Sequence, residues 1–133
     1  MQGRADLLFA GRYDDLTRLH ASPLPLYFGR SRILIDSRDA MRDYFRCLHQ
    51  VLQAGGVTAL AAKVMAQELP RQGRFRIWVD WAGGDPCAQS PDCHNTVYYC
   101  TTRSGGMQVE MIGYPRQFAP DLLKKWQDMR KSA

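Results

Sequence analysis

Apolar and polar residues alternate through the second half of the chain, a pattern typical of half-buried β-strands. The alternation covers the stretch from Val57 to Leu69 and returns more regularly from Arg74 to Trp81. Residues opposite each other across a hairpin share a face of the sheet. Pairing Leu69 with Arg74 also brings together three apolar pairs, which are Ala66 with Ile77, Val64 with Val79 and Ala62 with Trp81. We therefore predict an antiparallel hairpin with one packed face and one exposed face.

A second hairpin is predicted near the end of the chain. The stretches from Asn95 to Arg103 and from Met107 to Tyr114 flank the segment Ser104-Gly105-Gly106. Two consecutive glycines favour a tight hairpin turn. With Gly105-Gly106 as the turn, the register places Cys100 opposite Met111, Thr102 opposite Val109 and Tyr99 opposite Ile112. Both faces of this hairpin carry apolar residues, so the pattern leaves open which face lines the interior.

Helical periodicity dominates the first half of the chain. Apolar residues recur every three or four positions from Arg4 to His20, although Gly11 weakens the middle of this predicted helix. Two short strands follow, from Leu26 to Phe28 and from Arg32 to Ile35. The segment from Asp36 to Asp39 supplies N-cap residues for a second amphipathic helix. Its apolar stripe is formed by Met41, Tyr44, Phe45, Leu48, Val51 and Leu52, and Gly55-Gly56 ends it.

Length and composition indicate one ordinary domain. The chain has 133 residues, of which 45% are hydrophobic and 23% charged. No apolar run is long enough to span a membrane, and the N-terminus lacks a signal-peptide layout, so we expect a cytoplasmic protein without a membrane partner. The net charge of +5 is scattered and has no aromatic-basic motif beside it, so we expect no nucleic-acid partner.

The cysteines do not form a recognisable metal or disulfide framework. Cys47 falls in a helical pattern, whereas Cys87, Cys93 and Cys100 lie in or beside one loop with His94. Their spacing is longer than the short knuckles of zinc fingers, so we predict no metal site. A reversible Cys87–Cys93 disulfide and an unbonded pair both stay open. The sequence contains no phosphate loop or dinucleotide fingerprint, and we predict no cofactor.

Several segments together resemble the nuclear-transport-factor-2-like superfamily of cone-shaped domains, whose bacterial members include SnoaL-like proteins. The segments that carry the resemblance are Tyr13-Asp-Asp-Leu16, Pro23-Leu-Pro-Leu-Tyr27, Asp36-Ser-Arg-Asp-Ala-Met-Arg-Asp-Tyr-Phe45, Trp78-Val-Asp-Trp81 and Val97-Tyr-Tyr99. The resemblance implies an α+β fold in which a strongly curved antiparallel sheet wraps around N-terminal helices. It also implies a deep apolar cavity and dimers formed through the outer sheet face. A single domain would then cover residues 1–133, with its core at about 4–115 and a tail helix at about 121–130.

Candidate site residues follow from what a cone-fold enzyme needs, which is an acid or base, or a tyrosine donor, inside an apolar pocket. The catalytic candidates are Tyr13, Asp15 and Glu110. Residues that could line a cavity for a small apolar or aromatic ligand are Tyr27, Trp81, Tyr98, Cys100 and Tyr114. Each has an ordinary structural alternative, since core tyrosines, solvated aspartates and strand aromatics are common in any domain. For His20 we expect a structural or capping role.

Three functional hypotheses remain from the sequence. In the first, the chain is a small-molecule-binding or regulatory domain that performs no chemistry. In the second, it is a cofactor-independent isomerase, cyclase or dehydratase, with Tyr13 or Tyr98 as hydrogen-bond donor and Asp15 or Glu110 as base. In the third, it is a homodimeric assembly module that uses the outer sheet face, with Arg74, Arg76 and Trp78 at the contact. Fold alone does not choose between them.

Overall fold

The computed structural model describes residues 1–82, 96–103, 106–114 and 122–132. Within these ranges the chain forms four helices and six strands. The helices are α1 (Gln2–Phe9), α2 (Tyr13–Thr17), α3 (Arg38–Ala54) and α4 (Leu122–Ser132). The strands are β1 (Leu24–Phe28), β2 (Ser31–Ile35), β3 (Ala61–Gln67), β4 (Arg74–Ala82), β5 (Thr96–Arg103) and β6 (Gly106–Tyr114). No helix of the described residues is both long enough and apolar enough to cross a membrane.

The first predicted helix is interrupted. Instead of one helix from Arg4 to His20, α1 ends at Phe9 and α2 begins at Tyr13. Gly11 lies between them with a φ of +73°, a left-handed conformation that glycine adopts without steric cost. His20 lies beyond α2, where backbone hydrogen bonds from Ala21 N to Val109 O (2.7 Å) and from Val109 N to Leu19 O (2.9 Å) fasten the chain to β6.

The predicted cap and apolar stripe of α3 are confirmed. The Ser37 side chain accepts a hydrogen bond from Ala40 N at 3.1 Å, which satisfies one of the free amides of the first turn. Five of the six predicted stripe residues are buried, and Val51 is half-buried because it lies at the edge of the stripe. This long helix therefore supplies the central packing surface of the fold.

The six strands form one sheet in the order β2-β1-β6-β5-β4-β3. All neighbouring strands are antiparallel except β1 and β6, which run parallel with Leu26 beside Ile112 and Phe28 beside Tyr114. The predicted α+β class is therefore confirmed, with a mixed sheet rather than a wholly antiparallel one. The parallel pair joins the short N-terminal hairpin to the C-terminal one, so both halves of the chain build a single inner face.

The register predicted for the first hairpin is correct over only part of its length. Val64 pairs with Val79 and Ala62 with Trp81, as predicted. A β-bulge between Val64 and Ala66 then shifts the pairing, so that Ala66 lies opposite Trp78 and Gln67 opposite Ile77. The prediction of Ala66 opposite Ile77 was wrong because the extra residue in β3 advances this strand by one position against its neighbour.

The second hairpin shows a similar correction. Tyr99 pairs with Met111, and a bulge after Tyr99 places Cys100 opposite Val109 and Thr102 opposite Met107. The predicted pairs of Cys100 with Met111, Thr102 with Val109 and Tyr99 with Ile112 were therefore wrong. Gly106, the second residue of the proposed Gly105-Gly106 turn, pairs with Arg103 as a strand residue, whereas residues 104 and 105 lie outside the described residues.

The structure also settles which face of the second hairpin points inward. Tyr98 and Cys100 of β5 are buried, as are Val109, Ile112 and Tyr114 of β6. They pack with α3, while Tyr99 and Glu110 take the outer face. The predicted tail helix is present as α4, and the structure describes it from Leu122 to Ser132. Its Trp126 packs edge-on against Tyr44 of α3, with ring centroids 5.7 Å apart.

Candidate functional site

A small cavity lies between the N-terminal helices and the inner face of the sheet. It opens on one side, and its volume is about 30 Å³. The lining consists of Arg4, Ala5, Leu8, Leu16, Phe45, Leu48, Leu52, Leu60, Trp81, Tyr98 and Tyr114. Most of these side chains are apolar, so polar character is confined to one guanidinium, one indole and two phenols. Without movement of its walls, this space encloses only one or two heavy atoms of a ligand.

Two separate hydrogen bonds engage the tyrosine hydroxyls in and beside the cavity. Trp81 Nε1 donates to Tyr98 Oη at 3.0 Å, and Tyr44 Oη donates to Tyr114 Oη at 2.9 Å. Burial raises the pKa of Tyr44 and Tyr114 well above the ordinary value of 10.0. The hydroxyls of Tyr44 and Tyr114 therefore act as hydrogen-bonding groups rather than as phenolate bases.

Arg4 brings a positive charge to this apolar space. Its guanidinium lies over the Tyr98 ring, 4.4 Å from the centroid, and its terminal nitrogen is 2.5 Å from His20 Nε2. Arg4 Nε is buried without a hydrogen-bond partner among the described residues. The guanidinium is thus held in place from two sides while one of its donors stays unused.

His20 is a neutral imidazole that accepts a hydrogen bond from Arg4. Its Nδ1 is 2.9 Å from Leu16 O, which can only accept, so Nδ1 carries the proton. Nε2 is then the acceptor for Arg4, which can only donate. Complete burial, followed by the charge of Arg4, lowers the pKa of His20 well below the ordinary value of 6.5. The backbone oxygen of His20 accepts from Arg38 and Gln108, so the residue is fixed on both sides.

Three predicted ligand-binding residues, Trp81, Tyr98 and Tyr114, do line the cavity. Cys100 is buried on the same inner face but is not part of the lining, and burial raises the pKa of its thiol to about 11. The thiol is therefore protonated and weakly nucleophilic at neutral pH. Tyr27 is 36% exposed near an edge of the sheet, opposite Arg32 and Gly113 on its two neighbouring strands.

The predicted catalytic residues lie away from the cavity lining. Tyr13 Oη is 2.6 Å from Nδ1 of His49, on the side of α3 that faces α1 and α2. Asp15 forms ion pairs with Arg12 (2.6 Å) and Arg18 (3.1 Å) at the surface.

Glu110 lies on the outer face of the sheet, 3.6 Å from Arg74. The structure therefore places these three side chains in three separate environments. None of them lines the cavity, and no carboxylate of the described residues does so.

Sequence reasoning overlooked Arg4 as a site residue, although one signal was available. Arg4 precedes Leu8 by four positions, and residues with this spacing share one face of a helix. Arg4 and Ala5 therefore begin the inward stripe of α1. The contact with His20 had no such signal, because it crosses the break between α1 and α2.

No group of three or more His, Cys, Asp and Glu side chains that could hold a metal occurs in the described part of the chain. Cys87, Cys93 and His94, on which the question of a loop disulfide or metal site rests, lie outside the described residues.

Comparison with known proteins identifies the fold. No protein-family model and no curated protein matches the sequence. Among solved structures, an NTF2-type protein named Rd1NTF2_05, in a variant with several substitutions, shares 11% identity over 83% of this chain and 88% of its own, with a TM-score of 0.60.

Two natural proteins show the same likeness. A candidate calcium/calmodulin-dependent protein kinase II association domain from Xanthomonas campestris has 12% identity, coverage of 87% and 83%, and a TM-score of 0.58. A candidate polyketide cyclase from Sinorhizobium meliloti has 14% identity, coverage of 82% and 86%, and a TM-score of 0.50. The chain therefore has the nuclear-transport-factor-2-like cone fold. At these identities the likeness concerns the fold alone, because proteins of one fold serve different functions.

Proposed function

We propose that this protein is a small-molecule-binding domain whose inner cavity holds its ligand without catalysing a reaction. The observation that carries the proposal is the composition of the cavity lining. Apolar side chains surround a guanidinium and two phenols, while no carboxylate of the described residues reaches the space. The lining has the composition of a ligand pocket, in which apolar walls supply affinity and a few polar groups supply orientation, although the space itself is much smaller than most such pockets.

An enzyme of the isomerase, cyclase or dehydratase kind is less well supported by this arrangement. Chemistry of that kind moves a proton, for which a side chain must reach the substrate within hydrogen-bond distance. Asp15 and Glu110 are paired with arginines outside the lining. The imidazole of His20 is occupied at both nitrogens. The candidate polyketide cyclase shares the fold, but its likeness supplies no base for this cavity.

A cavity-filling variant tests the proposal directly. Ala5 lines the cavity, so Ala5→Leu would place three more carbon atoms into it. We expect xenon and 1-propanol, two small probes without charge, to produce saturable NMR shifts of Tyr98 and Leu48 in the parent protein. The same probes should produce no such shifts in Ala5→Leu, because the space is occupied.

The matched control is Ala54→Leu, the same change at an exposed position near the end of α3. This variant should respond to the probes as the parent protein does, and thermal unfolding of all three proteins establishes that they are folded. Absence of saturable shifts in the parent protein would contradict a binding cavity. Equal shifts in Ala5→Leu would place the binding elsewhere.

The outer face of the sheet favours a second candidate function, assembly into a homodimer. The register aligns Leu34 with Pro25, and it aligns Met111 with Tyr99 and Arg76. Leu34 is 48% exposed, and Tyr27 is 36% exposed. Beside them a groove of about 550 Å³ is lined by Pro25, Leu69, Tyr99 and Met111 among others. Apolar groups of this kind gain from burial against a partner. One structurally similar protein is described as an association domain, which is compatible with this role.

Light scattering after size-exclusion chromatography tests assembly. Met111→Glu puts a charge on the outer face, whereas Met129→Glu makes the same change at an exposed position of α4. We expect a dimeric mass for the parent protein and for Met129→Glu, and a monomeric mass for Met111→Glu. A monomeric parent protein at high concentration would rule out the homodimer.

A further inference from the structure

The guanidinium of Arg4 faces the cavity with hydrogen-bonding capacity that the described residues do not use. Arginine carries five side-chain N–H donors, and the described structure gives the guanidinium of Arg4 one hydrogen-bond partner, His20. Nε is buried without an acceptor. A buried donor that is left unpaired is unfavourable, and native structures generally satisfy such groups with protein, water or ligand atoms. The cavity beside Arg4 is the open space from which an acceptor can come.

The positive charge of Arg4 also lacks an opposite charge nearby. Among the described residues, no carboxylate lies within salt-bridge distance of Arg4, whereas six other arginines in the same ranges form ion pairs. Its direct partner His20 is neutral, and the Tyr98 ring offers its π face. A partly buried cation without a partner is unfavourable, and the charge-assisted hydrogen bonds that a guanidinium makes to an anion are stronger than those it makes to neutral groups. The ligand that best completes this environment is therefore an anion.

The geometry of Arg4 suits a carboxylate in particular. The planar guanidinium presents pairs of parallel N–H donors that match the two oxygens of a carboxylate. His20 and the Tyr98 ring hold the guanidinium, so little conformational freedom is lost when an anion binds. The remaining lining offers apolar contacts from Leu8, Leu48 and Leu52 for the carbon chain of such a ligand.

The size of the cavity limits the length of that chain. An apolar cavity of about 150 Å³ is known to admit benzene. On that scale the cavity here, at about 30 Å³, encloses only one or two heavy atoms, so the rest of a ligand lies at its open side. Building on the proposed binding function, we propose that the cavity selects short-chain monocarboxylates, with the carboxylate on Arg4 and the alkyl group among the leucines.

Propionate is the probe that tests this proposal, with propionamide as its neutral counterpart of nearly the same shape. In calorimetric and NMR titrations of the whole chain, we expect propionate to bind at least tenfold more tightly than propionamide. In Arg4→Met, which keeps an apolar side chain of similar length, we expect propionate affinity to fall at least tenfold. Benzoate should bind more weakly than propionate in the parent protein, because its ring exceeds the cavity.

Arg30→Met provides the matched control, because it removes the same charge from an exposed position in the turn between β1 and β2. It should keep the propionate affinity of the parent protein. Arg4→Lys keeps the charge and loses the paired donors, so we expect an affinity between those of the parent protein and Arg4→Met. If Arg4→Met fails to fold, the contrast between propionate and propionamide in the parent protein decides the question.

The outcomes separate this inference from the proposed function. If xenon and 1-propanol bind but propionate does not, the anion inference is overturned and the binding domain stands. Equal propionate affinity in Arg4→Met and the parent protein also overturns it, because the anion is then held elsewhere. If no probe binds, both proposals fail. Tight propionate binding that is lost in Arg4→Met supports both.

Discussion

The two faces of the sheet put the same kinds of side chain into different chemical situations. Tyr98 on the inner face is 3% exposed and accepts a hydrogen bond from Trp81, whereas the adjacent Tyr99 lies half-buried on the outer face. Arg4 faces the cavity with a neutral partner, while Arg76 forms two hydrogen bonds to the carboxylate of Glu68 outside. Desolvation has the largest effect on the ionisation of the inner groups, whereas the charges of the outer groups are stabilised by water and by ion pairs.

This difference between the two faces indicates which charged side chains we expect to matter for binding. On the outer face, charges are compensated by neighbours and screened by solvent, so they contribute little beyond solubility and encounter with partners. On the inner face, few other polar atoms compete with the guanidinium of Arg4, so we expect it to determine which polar groups a bound ligand carries. The effect of an arginine on function therefore depends on its surroundings more than on its presence in the sequence.

Packing gives the largest contrast between the two faces. Leu26 on β1 is fully buried, whereas Leu69 after β3 is 89% exposed. We expect Leu26→Ala to lower the free energy of unfolding by about 2–5 kcal/mol, because it removes buried carbon atoms and leaves a cavity. Leu69→Ala should change it by less than about 0.5 kcal/mol.

Urea unfolding of both variants at two protein concentrations measures these changes. Similar losses for Leu26→Ala and Leu69→Ala would contradict the assignment of inner and outer positions. A loss in Leu69→Ala that appears only where the protein associates would instead indicate that Leu69 contributes to an interface on the outer face.

Protonation of His20 gives a contrast of intermediate size. The folded protein resists protonating this buried imidazole, which is next to Arg4 and Arg38, whereas the unfolded chain protonates near the ordinary value of 6.5. Acid therefore favours the unfolded state. Stability falls as the pH drops below 6.5, and it continues to fall until the pH reaches the lower pKa that His20 has in the folded protein. From pH 7.5 to 5.5 we expect a loss of about 1 kcal/mol from this group.

Chemical unfolding at a series of pH values tests this loss. His20→Gln should flatten the slope below pH 6.5. His49→Gln should keep most of the slope, because burial alone lowers the pKa of His49, whereas the charges of Arg4 and Arg38 add to burial at His20. An unchanged slope in His20→Gln would show that other groups cause the acid sensitivity.

Much of the fold was predictable because burial follows local periodicity. The stripe of α3 and the alternation of β4 identify their buried faces without knowledge of any partner. The bulges after Val64 and Tyr99 were not predictable, since they depend on how twisted strands fit against their neighbours. The inward face of β6 was not predictable either, because it depends on the parallel pairing of β6 with β1, which is a contact between distant parts of the chain.

The candidate site was predictable only where it lies on regular strands. Trp81, Tyr98 and Tyr114 come from strands whose pattern already indicated apolar surroundings. The pairing of Arg4 with His20 depends on the backbone turn at Gly11, which brings together residues that one continuous helix would hold apart. Sequence periodicity describes single helices and strands, so it does not predict contacts that are made across a break between two of them.

The ion pair of Glu68 with Arg76 should give the smallest effect, although its geometry is good. Both guanidinium bonds are short, at 2.8 and 2.9 Å, and the hydrogen bonds from Arg76 lower the pKa of Glu68. Because water surrounds the pair, the attraction is largely offset by hydration and by the entropy of holding two long side chains.

We expect Glu68→Gln to leave the melting temperature at pH 7 within experimental error. The lowered pKa of Glu68 contributes its full stabilisation above the ordinary value of 4.5, and this contribution is lost progressively as the pH falls from that value through the folded pKa. Glu68→Gln should therefore differ from the parent protein by a slightly shallower acid slope below that pH. A clear drop in melting temperature at pH 7 that persists in 1 M salt would show that the outer face relies on ion pairs more than solvent screening allows.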